Sequence, residues 1–477
     1  MAGAPTSLGF SVRRRERELV APARPTPYEF KMLSDIDDQD ILRFNRSGIS
    51  FYRHNPNQDG VDPVTVIRAA LSEALVHFYP LAGRLRELRP TRKLVVECTG
   101  EGVVFVEADA SFRMDDLGDG TSTSSPLLAP PVPCYDMLLC EAESPTADVV
   151  DRPLLFVQMT RLACGGFVFG MHICHCMADG SGMVQFLTAV TEFARGVPGA
   201  PTVPPVWERE ALTTRSWPPT VTRDHVEYAP LPVDDDDDDV LLSLSPSTNA
   251  YAHHVFFFGD REIAALRSQV VAACSRFDLV GAFMWRCRTA ALRHGRGDVV
   301  RLNMFVNARV RNRPVPRGYY GNAIVFASAS APAGELCGRP LGHALRLLVE
   351  AKARAWEDGY VQSVASFNAA RRRPAFPKGA RTYFISDMTR AGMTDIDFGW
   401  GKPVYGGPAT TMLATFHLQG RNEAGEAGIV VPISLPSPVM ERLIQEVDKG
   451  LNAGTAAVLD DAKARVVPDE GYVLAKL

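Results

Sequence analysis

The sequence predicts an α/β protein with mixed β-sheets flanked by helices, built as two or more packed units. Three observations point there. The chain is 477 residues long, well past the roughly 250–300 residues at which a single core stops growing. Its segments run β, α, β with hairpin signals and no regular βαβ repeat, which favours mixed over wholly parallel sheets. A stretch rich in proline and aspartate then breaks the pattern near its middle.

The first clear helix follows Asp62-Pro63, an N-cap residue with proline in the first turn. Ile67, Ala70, Leu71, Ala74, Leu75 and Phe78 recur at helical spacing as far as the stop at Pro80. Leu94 to Cys98 and Val103 to Val106 read as a hairpin about Thr99-Gly100-Glu101-Gly102, and Leu154 to Leu162 with Phe167 to His175 as a second one turning at Gly165-Gly166. Met183, Phe186, Leu187, Val190 and Phe193 mark an amphipathic helix behind it.

From Pro198 to Pro232 the periodicity gives way to scattered prolines, followed by Asp234 to Asp239. Proline lacks a backbone donor and like charges repel, so this stretch is expected to cross the surface as an extended connection. The second unit opens with a strand at Val255 to Phe258. Helices after Asp260 and Asp278, a strand near Val299 to Val306 and a helix over Leu341 to Trp356 follow. Strands recur at Thr382 to Ser386, Ala414 to Leu418 and Ile429 to Leu435, and Ser437-Pro438 starts a last helix with Met440, Leu443, Ile444, Val447 and Leu451 on one face.

Composition narrows the function. With 46% hydrophobic and 22% charged residues the chain is an ordinary globular one, and disorder is excluded as its main state. A net charge of −4, with basic residues only in short clusters such as Arg13-Arg14-Arg15 and Arg371-Arg372-Arg373, argues against nucleic acid as a partner. No apolar run nears the roughly 20 residues that span a bilayer, and no signal-peptide stretch precedes Arg13, so a cytoplasmic protein is expected. Nine scattered cysteines without a framework spacing suit packed thiols in a reducing compartment. Asn45-Arg46-Ser47 fits the glycosylation pattern by chance on this reading.

The densest cluster of reactive side chains runs from Met171 through His172, Cys174, His175, Cys176 and Asp179 to Gly182. Strand alternation puts Phe169, Met171, Ile173 and His175 on one face and His172 and Cys174 on the other. His175 therefore ends an apolar strand at a glycine-flanked turn, where a neutral imidazole aimed into a cleft suits a general base; a hydrogen-bonded structural histidine is the plainer alternative. Asp179 either orients His175 or holds the turn, and spacing leaves both open. A metal site is not expected, because His172 and His175 point to opposite faces and no second ligand cluster exists. Cys174 and Cys176 lack the base a thiol nucleophile needs and read as packing residues.

Asp397-Phe398-Gly399-Trp400-Gly401 joins two glycines to a large anchor, which reads as a structural turn in which Asp397 pairs with an arginine. A third cluster leaves a strand at Val306-Asn307-Ala308-Arg309-Val310-Arg311 and runs through Pro314 and Pro316 to Gly321-Asn322-Ala323-Ile324. It offers cations and an amide. No phosphate-binding glycine loop, dinucleotide fingerprint or nucleophile elbow is present.

Together these residues resemble the plant BAHD family of acyl-CoA-dependent acyltransferases. Its signatures His-x-x-x-Asp-Gly and Asp-Phe-Gly-Trp-Gly match His175 to Gly180 and Asp397 to Gly401 in the family's order. Tyr79 to Arg84, Val104 to Ala108, Asn307 to Ile324 and Val404 to Pro408 add further matches, and Val12 to Pro22 with Leu33 to Asp40 is similar to the benzyl alcohol O-benzoyltransferase-like, or alcohol acyltransferase, subgroup. Ser386-Asp387-Met388 and the short segment after Gly407 depart from that subgroup's pattern.

The resemblance implies two domains of the chloramphenicol acetyltransferase type: residues 1–197, completed by a segment near 384–412, and 251–477, joined by a crossover at 198–250. It implies a channel between them in which acyl-CoA, a co-substrate rather than a bound cofactor, meets a small alcohol at His175. On this view His175 is the general base and Asp179 is structural, turned toward an arginine for which Arg309 is the candidate. Asp397, Phe398, Gly399, Trp400 and Gly401 would support the CoA side, and the protein would be a monomer. An amine acceptor, or a binding protein retaining the scaffold, are the alternatives.

Overall fold

The computed structural model describes residues 10–117, 129–140, 148–231, 251–309, 315–377, 379–411 and 414–465, with side chains as far as 453. Asp234 to Asp239, Val310, Arg311 and Pro314 lie outside the described residues.

The first half of the chain contributes β1 (Val12–Arg14), β2 (Glu18–Val20), β3 (Phe30–Met32), β4 (Asn45–Tyr52), β5 (Arg84–Leu88), β6 (Lys93–Glu97), β7 (Val103–Ala110), β8 (Leu155–Arg161) and β9 (Phe167–Cys174), with helices α1 (Pro63–His77) and α2 (Gly180–Ala194). The second half contributes β10 (Tyr251–Phe258), β11 (Val299–Asn307), β12 (Ile324–Pro332), β13 (Thr382–Asp387), β14 (Tyr405–Gly407), β15 (Thr415–Arg421) and β16 (Ala427–Pro436). Its longer helices are α3 (Asp260–Arg267), α4 (Arg276–Leu292), α5 (Leu341–Ala355), α6 (Tyr360–Arg371) and α7 (Ser437–Arg465).

One sheet has the order β1-β7-β8-β9-β4-β14 with β2 also on β7, a second runs β10-β16-β15-β13-β11-β12, and a small one is β3-β6-β5. Both large sheets are mixed: β7 and β8 are parallel in the first, and β11, β13 and β15 in the second, while the other pairs are antiparallel. Strand β14 belongs to the later half of the chain yet pairs with β4 of the first sheet, Tyr405 opposite Phe51 and Gly407 opposite Ile49.

Local chemistry explains the elements that the sequence makes plain. Helix α1 starts where the Asp62 carboxylate accepts the N–H groups of Val64 and Thr65, and Arg161 clamps the same carboxylate at 2.9 and 2.7 Å. Burial would raise the Asp62 pKa, but Arg161 and Thr65 hold it down to about 2. The apolar face from Ile67 to Leu75 is buried in the core, and α1 packs against α2. Strands β8 and β9 form the expected hairpin, Leu155 opposite Ile173 and Arg161 opposite Phe167, with Gly165 at φ +81° in its turn.

Three expectations are corrected. Leu94 to Cys98 and Val103 to Val106 do not pair with each other. Strand β6 joins β3 and β5, whereas β7 lies between β8 and the β1/β2 edge. At Gly102, φ +100°, a Cβ would sit 2.4 Å from the Val20 carbonyl oxygen, so the chain passes from one sheet to the other through a gap that admits only glycine.

The connection after Pro198 is likewise more than a surface crossing. Arg209, Leu212, His225, Glu227 and Tyr228 are buried. Arg209 reaches Asp37 at 2.7 Å and donates to the Met177 carbonyl at 2.8 Å, and His225 links Glu227 at 3.0 Å to Ser363 of α6 at 2.9 Å. Thirdly, Asp397 does not pair with an arginine through its carboxylate: Oδ1 accepts the N–H groups of Gly399 at 2.7 Å and Gly401 at 2.9 Å, and Arg195 instead bonds the Asp397 carbonyl at 3.0 Å.

Replacing Arg209 with Met should lower the free energy of unfolding by about 3–5 kcal/mol, because Asp37 would stay buried without its cation. Urea melts of the two proteins check this; a loss below about 1 kcal/mol would show that the crossover's buried guanidinium is dispensable.

Candidate active site

Strand β9 ends at Cys174, and the N–H of His175 bonds the Phe44 carbonyl at 2.9 Å, so the imidazole starts the turn that leads into α2. The ring packs on Phe44 with centroids 5.3 Å apart. Residues 175–179 form a turn rather than a helix, and Asp179 is the N-cap of α2. The two motif residues therefore do not stack on one helical face.

Asp179 is 4% exposed. Its Oδ1 accepts the Gly182 N–H at 3.0 Å, and its Oδ2 accepts Arg309 Nη1 at 2.6 Å and the Ala323 N–H at 2.9 Å. Arg309 also donates to the Gly321 carbonyl. A carboxylate of α2 in the first half thus grips the segment between β11 and β12 in the second. Gly182 permits the approach: a Cβ there would lie 1.9 Å from the Tyr320 carbonyl oxygen.

Asp37 makes a second grip on the same segment. Fully buried, it accepts Arg209 Nη1 at 2.7 Å, the Asn322 N–H at 2.8 Å and Asn322 Nδ2 at 2.9 Å through one oxygen, and the Ser34 hydroxyl at 2.5 Å through the other. Burial works against the Arg209 charge, but Asp37 and the neighbouring tyrosines outweigh it and keep the guanidinium protonated.

Asn322 connects this network to His175. Its Nδ2 donates to the His175 carbonyl at 2.7 Å and to Asp37, which leaves Oδ1 facing His175 Nδ1 at 3.1 Å. Flipping the amide would set its oxygen against two acceptors. Nδ1 is therefore the protonated nitrogen, and Nε2 keeps its lone pair. Burial draws the His175 pKa below the usual 6.5, with the Arg46 charge acting in the same direction against Asp179 and Asn322. The imidazole is neutral at pH 7.

A cavity of about 120 Å³ opens beside His175 between the two large sheets. Arg46, Ser47 and Ile173 line it from the first sheet, and Phe305, Ile324, Phe384, Ser386 and Phe416 from the second. The segment Asp397 to Gly401 lies elsewhere. Gly399 and Gly401, at φ +111° and +98°, wrap the Asp397 carboxylate, Phe398 buries against Tyr52 and Phe169, and Trp400 meets Phe167 edge-on at 5.6 Å. None of the five lines the cavity.

Cys174 and Cys176 are buried, and His172 is fully buried on the opposite face of β9 from Ile173. Among the described residues no group of three or more His, Cys, Asp or Glu converges as for a metal, and no helix is long and apolar enough to cross a membrane. Sequence reasoning placed Asn322 in a loop without a role, and it gave no role at all to Asp37, Arg209 or Arg46.

Residues 10–449 match the model of the Transferase family. The chain belongs to this family, the BAHD acyltransferases. It is 47% identical over 468 residues to the benzyl alcohol O-benzoyltransferase of Petunia hybrida, with 96% of this chain and 97% of the relative covered. It is 44% identical over 448 residues to alcohol acyl transferase 1 allele GSa of Malus domestica, covering 92% and 94%. Vinorine synthase shares the fold at a TM-score of 0.67 and 23% identity, over 91% of this chain and 96% of that one. The protein thus has the two-domain α/β architecture of the BAHD and chloramphenicol acetyltransferase-like enzymes, whose co-substrate in the BAHD family is acyl-CoA.

Asn322→Ala should destabilise the protein by about 1–3 kcal/mol, since it removes partners from both Asp37 and the His175 backbone. Thermal or denaturant unfolding measures this, and an unchanged midpoint would contradict the hydrogen-bond assignment.

Proposed function

We propose that this protein moves an acyl group, benzoyl, acetyl or similar, from acyl-CoA to the hydroxyl of a small alcohol, giving an ester and free CoA. One observation carries the reading: Asn322 forces the proton of a neutral His175 onto Nδ1, so that Nε2 is a base beside a largely apolar cavity between the two domains.

The chemistry follows from that placement. Nε2 takes the proton of the acceptor hydroxyl as its oxygen attacks the thioester carbonyl in a ternary complex, so no acyl-enzyme forms. The tetrahedral intermediate collapses, the C–S bond breaks, and the imidazolium returns the proton to the departing thiolate. Asp179 has a structural part in this scheme, holding the domains together with Arg309. Asp397, Phe398, Gly399, Trp400 and Gly401 shape the CoA side from a distance. In keeping with the names of its relatives, the acceptor is an alcohol such as benzyl alcohol.

The domains on this reading are 1–197, completed by 384–412, and 251–477, with 198–250 as the crossover. The pairing of β14 with β4 and the buried Arg209 support such an exchange of segments. The enzyme works as a cytoplasmic monomer without a bound cofactor or metal.

Thiol release from a matrix of acyl-CoA donors against alcohols and matched amines tests the proposal: ester formation is expected, whereas turnover confined to amines would overturn the acceptor class. His175→Ala should lose at least about 10²-fold in kcat/KM while remaining folded. The pH profile gives a second check. The free imidazole is the active form and burial lowers its pKa, so kcat/KM should hold as the pH drops past 6.5 and decline only further down. An acid limb centred above 6.5 would contradict the assignment.

A further inference from the structure

The second sheet buries two polar side chains without answering them. Asn303, in the middle of β11, is fully buried, and neither its amide oxygen nor its amide nitrogen has a hydrogen-bond partner among the described residues. Ser328 stands opposite it on β12 at 6% exposure, and its hydroxyl has no partner among them either. Buried amides and hydroxyls are nearly always hydrogen-bonded, so two neighbours left unpaired call for a partner from outside the chain.

Their place in the sheet says where that partner enters. Side chains alternate along a strand, so Asn303 shares a face with Phe305 and Ser328 with Ile324, and both of those line the cavity beside His175. Across the parallel pairing with β13, Asn303 is opposite Phe384, a third lining residue. Phe376 bridges Phe326 and Phe384 with ring centroids 4.4 and 5.6 Å away, so aromatic rings flank the polar pair. The reaction end lies at the other end of the same strand: Asn307 donates to the Ser181 hydroxyl at 3.3 Å, at the start of α2. Four residues of β11 put Asn303 about 13 Å from there. A substrate that reaches the amide from His175 must therefore extend past a single ring.

We propose that Asn303 and Ser328 form a polar subsite at the inner end of the cavity, which recognises an elongated aromatic substrate carrying a hydroxyl at its far end. The ring lies against Phe305 and Phe384, whose partial burial leaves them room to turn aside. The far hydroxyl then donates to Asn303 Oδ1 and accepts from Asn303 Nδ2 or Ser328 Oγ. The inference rests on the acyl-transfer reading and deepens it by naming a class of substrate longer than a benzoyl or benzyl group and polar at one end.

The test compares kcat/KM for para-hydroxyphenylpropanoyl-CoA and phenylpropanoyl-CoA at a fixed alcohol, and for para-hydroxyphenylpropanol and phenylpropanol at a fixed donor. The two series tell whether the subsite serves the donor or the acceptor. The wild-type protein should prefer the hydroxylated compound in one of them by about 10-fold, the scale of one or two neutral hydrogen bonds. Asn303→Leu should bring that ratio to within about 2-fold of unity, with Ser328→Ala between the two. Because the amide has no partner in the resting protein, Asn303→Leu should also melt no lower than the wild type.

A wild-type ratio near one in both series makes ordered water the partner of the pair and overturns the proposal without any variant. A preference that survives in Asn303→Leu overturns it too. So does an Asn303→Leu protein that melts well below the wild type or does not fold, since the amide would then be holding the fold. If the wild-type protein releases no thiol with benzoyl-CoA and benzyl alcohol or with any of these pairs, the acyl-transfer reading itself has failed and this inference falls with it.

Discussion

Everything at the centre of this molecule depends on a buried carboxylate, Asp179, finding its partners in the other half of the chain. A charge with 4% exposure is costly to desolvate and is tolerated only when it is paired and hydrogen-bonded. Here Gly182, Arg309 and Ala323 satisfy it, and two of the three belong to the second half of the chain. The start of α2 is thereby tied to the segment that enters β12. Asp37 repeats the device with Arg209 and Asn322. Two acids from the first half of the chain hold a short segment of the second.

That joint also sets the chemistry. Asn322 belongs to the gripped segment, and its amide decides which nitrogen of His175 carries the proton. The tautomer of the proposed base is consequently a property of this contact between the two halves of the chain, and it would be lost with the contact. Burial then does the electrostatic part by disfavouring the imidazolium in the resting protein. Asp179 makes no hydrogen bond to the His175 ring; its oxygens go to Gly182, Arg309 and Ala323, and its charge opposes the lowering of the His175 pKa by burial. Spacing left open an orienting and a turn-holding aspartate, and the proposed structural role agrees with where those oxygens point.

Much of this was legible in the sequence, for local reasons. Helix α1 announces itself through Asp62-Pro63 and its apolar spacing, the β8–β9 hairpin through alternation and Gly165, and His175 through its position at the end of an apolar strand. What stayed hidden depends on distant partners. Strand β4 reads Asn-Arg-Ser-Gly before its apolar half, so the strand that carries Arg46 has no clean alternation. Helix α6 buries Ser363, Ser366 and Asn368, which blurs its apolar face. The false hairpin between β6 and β7 arose because a two-glycine turn looks the same whether the chain folds back or passes to another sheet. Arg209 sits in a proline-rich stretch where nothing nearby in sequence signals burial; only Asp37, 172 residues away, explains it.

The central claim is that the Asp179 carboxylate and the Arg309 guanidinium couple the two halves of the chain directly. A double-mutant cycle with Asp179→Asn, Arg309→Met and the pair, read by equilibrium unfolding, measures that coupling. The account predicts an interaction energy of about 2 kcal/mol or more, with the double variant much less destabilised than the sum of the singles. Additivity to within about 0.5 kcal/mol would contradict it.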